Sequence, residues 1–155
     1  MGFRYKRRLT IEWGHCDPAG IVFNPRFFEF FDWSTALLVR SALGMDKSDM
    51  LAAYGLAGIP LVDTHATFHR PSRFGEEVEI VSTVITVGRS SFEIEHQLFN
   101  DGALAVEGRE KRVWTVRDSD GRLKSQPMPE DVARRLDNQG APTSGSSGRE
   151  TIPLA

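Results

Sequence analysis

The segment Gly14-His-Cys-Asp-Pro-Ala-Gly20 sets an imidazole, a thiol and a carboxylate side by side, just ahead of Asn24-Pro25. Cys16 beside His15 has the residue types of a nucleophile with its base. Side chains at successive extended positions point to opposite faces, however, so the pair needs a bulge to meet, and a structural cysteine is the favoured reading. Asp17 offers general-base or nucleophilic chemistry. Asp-Pro is also a common turn opener whose side chain bonds local amides. Three features favour chemistry: a helix start follows directly, with its unsatisfied amides; Ile21, Val22, Phe23 and Phe27 are apolar neighbours able to exclude water; and Gly14 and Gly20 allow close backbone approach. The residues alone leave both readings open.

Other chemistries find less support. His65 and His69 are four apart, but their segment reads as a strand and lacks the acidic HExxH setting, so no metal site is expected. His15 and His96 have no ligand set close in sequence. There is no GxSxG elbow, and neither GxxxxGK[ST] nor GxGxxG occurs.

The elements that must position Asp17 follow from pattern. Phe3 to Trp13 alternates loosely and predicts a strand, broken by the glycines and Asp-Pro. Asn24 can cap and Pro25 suits the first helical position. Phe27, Phe31, Ser34/Thr35, Leu38 and Ala42 then recur at helical spacing up to Gly44. About 18 residues at ~1.5 Å each give a helix of ~27 Å. A short second helix is expected over Asp46 to Tyr54. Strands follow over Leu61–His69, Glu76–Val87, Phe92–Asn100 and Ala103–Arg117, with Asn100-Asp101-Gly102 as a hairpin turn. Such short connections predict an antiparallel sheet. Pro129 to Leu136 suggests a short terminal helix, so one domain spans 1–138. Residues 139–155 are mostly Gly, Ser, Thr and Pro and read as a flexible tail. A helix on one face of an antiparallel sheet is an α+β arrangement, and dimerisation would cover its exposed edges.

The 155 residues are 40% hydrophobic and 26% charged, with net charge -2, a balance that favours neither nucleic acid nor an anionic membrane as partner. One cysteine forms no internal disulfide, and no apolar run approaches the ~20 residues of a membrane span. A cytoplasmic protein is expected.

The run Gly14-His-Cys-Asp-Pro-Ala-Gly-Ile-Val-Phe-Asn-Pro-Arg-Phe27 resembles the signature of the 4-hydroxybenzoyl-CoA thioesterase family of hotdog proteins. The likeness continues through Asp32, Gly58-Ile-Pro-Leu-Val-Asp63, the Phe68–Pro71 stretch and Ser91-Phe92, covering Leu9 to Arg117. It implies a five-stranded antiparallel sheet wrapped around one long central helix, paired into homodimers and homotetramers. It also implies hydrolysis of an acyl-CoA to free acid and CoA, with Asp17 as nucleophile or general base. The Asn24 amide would be the oxyanion donor. Phe23, Phe27, Asp32 and Ile59 would meet a small benzoyl- or hydroxybenzoyl-type acyl group, Asp32 at a polar ring substituent. Ile59 replaces a polar family residue, which weakens the case for a para-hydroxyl. Arg89, with Ser90, Ser91 and Arg70, would hold CoA, although two charges of the family's basic cluster are absent around Arg89; Arg73 and Arg112 are further phosphate candidates. No separate cofactor is implied, since CoA belongs to the substrate. The alternatives are an acyl-thioester hydratase or dehydratase using His15 near Asp17, and a non-catalytic acyl-CoA-binding protein of the same fold.

Overall fold

The structure, a computed structural model, describes residues 2–138; the tail expected over 139–155 lies outside them. Five strands form one antiparallel sheet: β1 (Arg4–Thr10), β2 (Leu61–Phe68), β3 (Glu77–Val87), β4 (Ser91–Asn100) and β5 (Ala103–Val113), in the order β1-β3-β4-β5-β2. Helix α1 (Pro25–Leu43) packs its apolar side on the inner sheet face. The antiparallel α+β architecture expected from the sequence is present.

The described residues hold three α-helices, and the two short ones expected after α1 are among them. Among the described residues α1 has 19 residues, and α2 (Lys47–Tyr54) and α3 (Glu130–Asp137) have 8 each. Both short helices close the far end of the core: Met50 and Val132 are buried there with Trp114, and Arg135 donates to the Leu43 carbonyl at the end of α1 (2.7 Å). The last predicted strand is broken. Trp114 turns into the core, 1% exposed, its N–H held by the Ser90 carbonyl (2.8 Å). Beyond it β6 (Thr115–Arg117) pairs with β7 (Leu123–Ser125) as a small ribbon.

Local rules explain the long elements. On β3, Val78, Ile80, Ser82 and Val84 alternate inward; on β4 it is Phe92, Ile94, His96 and Leu98. Asp101 and Gly102, both at positive φ (52° and 74°), make the tight turn into β5. Helix α1 ends at Gly44 in the left-handed region, whose N–H bonds the Arg40 carbonyl. Asn24 does not cap as expected: its backbone is already helical and its side chain makes no capping bond.

The core has two apolar clusters. One, around Ile11, Phe27, Phe30 and Leu98, lies under the start of α1. The other, around Leu38, Phe92, Ile94 and Trp114, lies under its end. Buried polar side chains sit between: Ser34 and Thr35 from α1, Ser82 from β3, His96 from β4 and Glu110 from β5.

Candidate active site

The loop before α1 is pinned at several points. A short 3-10 turn covers Trp13–His15. The chain then doubles back, with Cys16 bridged to Val22 and Ile21 to Arg73. Asp17 N–H donates to the Ile21 carbonyl (3.0 Å), and Val22 N–H to that of Ser72 (2.9 Å). Asp17 is half-buried at the tip, next to Gly20 at φ 77°. Its Oδ1 accepts the Ala19 N–H (2.8 Å), so the turn-forming role exists, and that bond takes one oxygen. Pro25 has no N–H, and among the described residues no acceptor takes the Asn24 N–H. A carboxylate and a free amide at a helix N-terminus are thus held in one short loop.

The neighbouring thiol and imidazole take other partners. Cys16 Sγ donates to the Glu12 carbonyl (3.6 Å), not to His15. His15 Nδ1 accepts the Glu12 N–H (2.9 Å), and its ring meets Phe30 edge-on at 4.9 Å. Burial lowers the His15 pKa, so the ring is neutral near pH 7. Neither the Cys–His pairing nor a His15–Asp17 couple is formed.

The other expected site residues separate into groups. Phe23 is 50% exposed in the same loop as Asp17, and Phe27, on the inward stripe of α1, is 3% exposed and packed on Phe30 and Phe68. Asp32 and Ile59 meet through Arg112, which donates to Asp32 Oδ1 (2.6 Å) and to the Ile59 carbonyl (3.2 Å). Arg112 is therefore no phosphate ligand: its side chain is 10% exposed and engaged inward. Arg70 and Arg73 are exposed near the Asp17 loop. Arg89, Ser90 and Ser91 lie at the β3–β4 hairpin, beyond the other end of the 11-residue β3. At ~3.3 Å per residue that end is roughly 30 Å away, so one protomer does not gather Arg70 and Arg89 around one ligand.

Sequence reasoning missed the polar band in the core. Glu110 Oε2 accepts from Thr35 Oγ1 (2.6 Å) and Arg112 Nε (3.0 Å). Its Oε1 lies 3.6 Å from His96 Nε2. Burial alone would raise the Glu110 pKa, but the His96 imidazole, the Arg112 guanidinium and the Thr35 hydroxyl outweigh it and bring it down to about 2. His96, fully buried, contacts Thr35 Oγ1 through Nε2 (3.2 Å) and Ser82 Oγ through Nδ1 (2.7 Å). Phe31 stacks flat on its ring, with centroids 4.8 Å apart and planes within 4°. The available signal was periodicity: His96 holds an inward position between Ile94 and Leu98, and Glu110 one level with Val106 and Gly108. Among the described residues no group of three or more His, Cys, Asp or Glu is placed to hold a metal, and no helix is long and apolar enough to cross a membrane.

Comparison with known proteins shows the family and the fold. Residues 11–136 match the model of the thioesterase-like superfamily. The 4-hydroxybenzoyl-CoA thioesterase of Pseudomonas sp. (strain CBS-3) is 27% identical over 127 residues, covering 78% of this chain and 89% of that protein. A 1,4-dihydroxy-2-naphthoyl-CoA hydrolase of Crocosphaera subtropica (strain ATCC 51142 / BH68) is 27% identical over 95 residues, or 61% of this chain and 68% of its own. The solved structure of the Pseudomonas enzyme superposes with a TM-score of 0.79 at 24% identity, covering 86% of this chain and 99% of that one, so the hotdog fold is shared. The chain belongs to the thioesterase-like superfamily and is an acyl-CoA thioesterase.

Proposed function

We propose that the enzyme hydrolyses the CoA thioester of a small aromatic acid carrying a ring hydroxyl, with Asp17 as its catalytic carboxylate. The observation that carries this reading is the pinned loop, which holds a half-buried carboxylate and, seven residues on, the unpaired Asn24 N–H. The thioester carbonyl would place its oxygen on that amide, where the helix N-terminus stabilises developing negative charge. Asp17 then acts by one of two balanced routes. As a base it takes a proton from water, hydroxide adds to the carbonyl, and the C–S bond breaks to release CoA thiol. As a nucleophile it forms a mixed anhydride and expels the thiolate, and water later cleaves the anhydride.

An aromatic, hydroxylated acyl group is supported by the side chains exposed on α1 and in the loop before it. Phe23 and Trp33 are 50% and 43% exposed, and Asp32 sits beside Trp33 as a carboxylate acceptor. The two curated relatives are named for hydroxylated aromatic acyl-CoAs.

A second copy completes the site in this reading. Strand β2 is a sheet edge with exposed Leu61, Val62 and Phe68, an unpaired and apolar edge of the kind that association covers. If Asp17 and the Arg89 hairpin serve the same CoA, they come from different protomers, given the length of β3 between them. A homodimer joined at β2, doubling to a homotetramer, satisfies both points. The single cysteine fits a cytoplasmic setting.

The test is thiol release from benzoyl-, hydroxybenzoyl-, dihydroxynaphthoyl- and aliphatic acyl-CoAs. The expected result is the highest kcat/KM on a hydroxylated aromatic ester. A preference for aliphatic chains would refute the substrate assignment.

A further inference from the structure

The band of buried polar residues reaches the surface through Arg112 at the Asp32 carboxylate. We propose that Arg112 is a positioning residue that fixes Asp32 as a charged, oriented acceptor for the acyl group, and that Glu110 holds Arg112 in place. This rests on the reading of the site given above and adds to it the residues that set its selectivity.

An exposed aspartate on a helix ordinarily samples several rotamers, and its ion pairs are weak. Asp32 is different in what lies beneath it. Its side chain is 67% exposed, while that of Arg112 is 10% exposed. The guanidinium has three acceptors on three elements: Glu110 on its own strand (3.0 Å), the Ile59 carbonyl before β2 (3.2 Å), and Asp32 on α1 (2.6 Å). A planar fork bound at three corners has little freedom to turn. Glu110 is fixed in turn by the Thr35 hydroxyl (2.6 Å), and Thr35 by His96, whose other nitrogen meets Ser82. Asp32 is therefore anchored through the core to β3, β4 and β5.

Charge counting gives the direction of the effect. Glu110, with a side chain 3% exposed, already neutralises the buried Arg112 cation. Asp32 is a second carboxylate that the burial of Arg112 does not require. The guanidinium beneath takes Oδ1 of Asp32 and leaves the outward side of the carboxylate as an acceptor. A group offering an O–H is favoured there, and an acceptor or an anion is disfavoured. Leu61 stands opposite Arg112 in the sheet register, so the spot is bordered by apolar surface suited to a ring.

The experiment measures kcat/KM for a hydroxybenzoyl-CoA and for unsubstituted benzoyl-CoA on the same enzyme preparation. Their ratio is insensitive to the fraction of protein that is folded. The variants are Arg112→Gln, Arg112→Lys, Asp32→Asn and the Asp32→Asn/Arg112→Gln double variant. The wild type is expected to favour the hydroxylated ester, and Arg112→Gln to cut that ratio about tenfold. Arg112→Lys, whose single ammonium cannot span three acceptors, should lose part of it, and this variant stands in if the glutamine form does not fold. In the Asp32→Asn background, Arg112→Gln should change the ratio by less than about twofold, because the two act as a unit. A wild-type ratio near one, or an unchanged ratio in both Arg112 variants, overturns the positioning role while leaving the hydrolase reading intact. Absence of thiol release from every acyl-CoA overturns the hydrolase reading, and this inference with it.

Discussion

Replacing Glu110 by Gln should reveal how much the buried band contributes to stability, through a signature in pH. The carboxylate accepts from Thr35 and Arg112 and lies 3.6 Å from His96, with its pKa lowered from 4.5 to about 2. At ~1.36 kcal/mol per unit, that shift corresponds to about 3 kcal/mol of preference for the ionised form in the folded state. Breaking a buried ion pair by removing one partner typically costs about 3–5 kcal/mol, which agrees in scale. The sign follows from a depressed acid. Its contribution is fully present above the unfolded value of about 4.5 and disappears as pH falls toward about 2. Urea unfolding of wild type and Glu110→Gln at fixed protein concentration, from pH 7 down to pH 3, measures this difference. A gap of about 3 kcal/mol at pH 7 that narrows below about pH 4.5 is expected. A gap under about 1 kcal/mol, or one independent of pH, would refute the reasoning.

Three further outcomes follow from packing. A methyl group on Gly108 would lie 2.7 Å from Cε2 of Phe31, the ring that stacks on His96, so Gly108→Ala should destabilise by about 1–3 kcal/mol in chemical denaturation. Tyr54 donates to Asp131 (2.7 Å) and ties α2 to α3, so Tyr54→Phe should lose about 1 kcal/mol without altering the acyl-CoA preference. On the proposed pairing at β2, Val62→Lys places a charge on that exposed edge and should shift sedimentation toward the monomer, with loss of activity at low enzyme concentration.

Strand and helix positions were legible because their inner faces carry unmistakable apolar periods, as in Phe92-x-Ile94 and Phe27-x-x-x-Phe31. The pre-helix loop was legible through its unusual density of chemical side chains and glycines. Glu110 and Arg112 were not, since charges in Glu-Lys-Arg sequences usually mark a solvated face. Their inward position depends on partners supplied by α1 and β4, far away in the chain. Which of the other aromatics of α1 turn inward was less legible for a related reason. One helical face holds more aromatics than the core stripe needs, and spacing alone does not say which of them turn inward; Phe30 does, whereas Trp33 does not. The break at Trp114 likewise needs the tertiary bond to Ser90.

The central claim is that Asp17 carries the hydrolysis. Its most direct test is kcat/KM for the preferred acyl-CoA with wild type and Asp17→Asn, folded state confirmed by circular dichroism. The substitution keeps the shape and an oxygen able to accept the Ala19 N–H, while removing the charge. A loss of at least about a hundredfold is predicted, the scale of a lost general base. Activity within a few-fold of wild type would contradict the account and move the catalytic group elsewhere in the site.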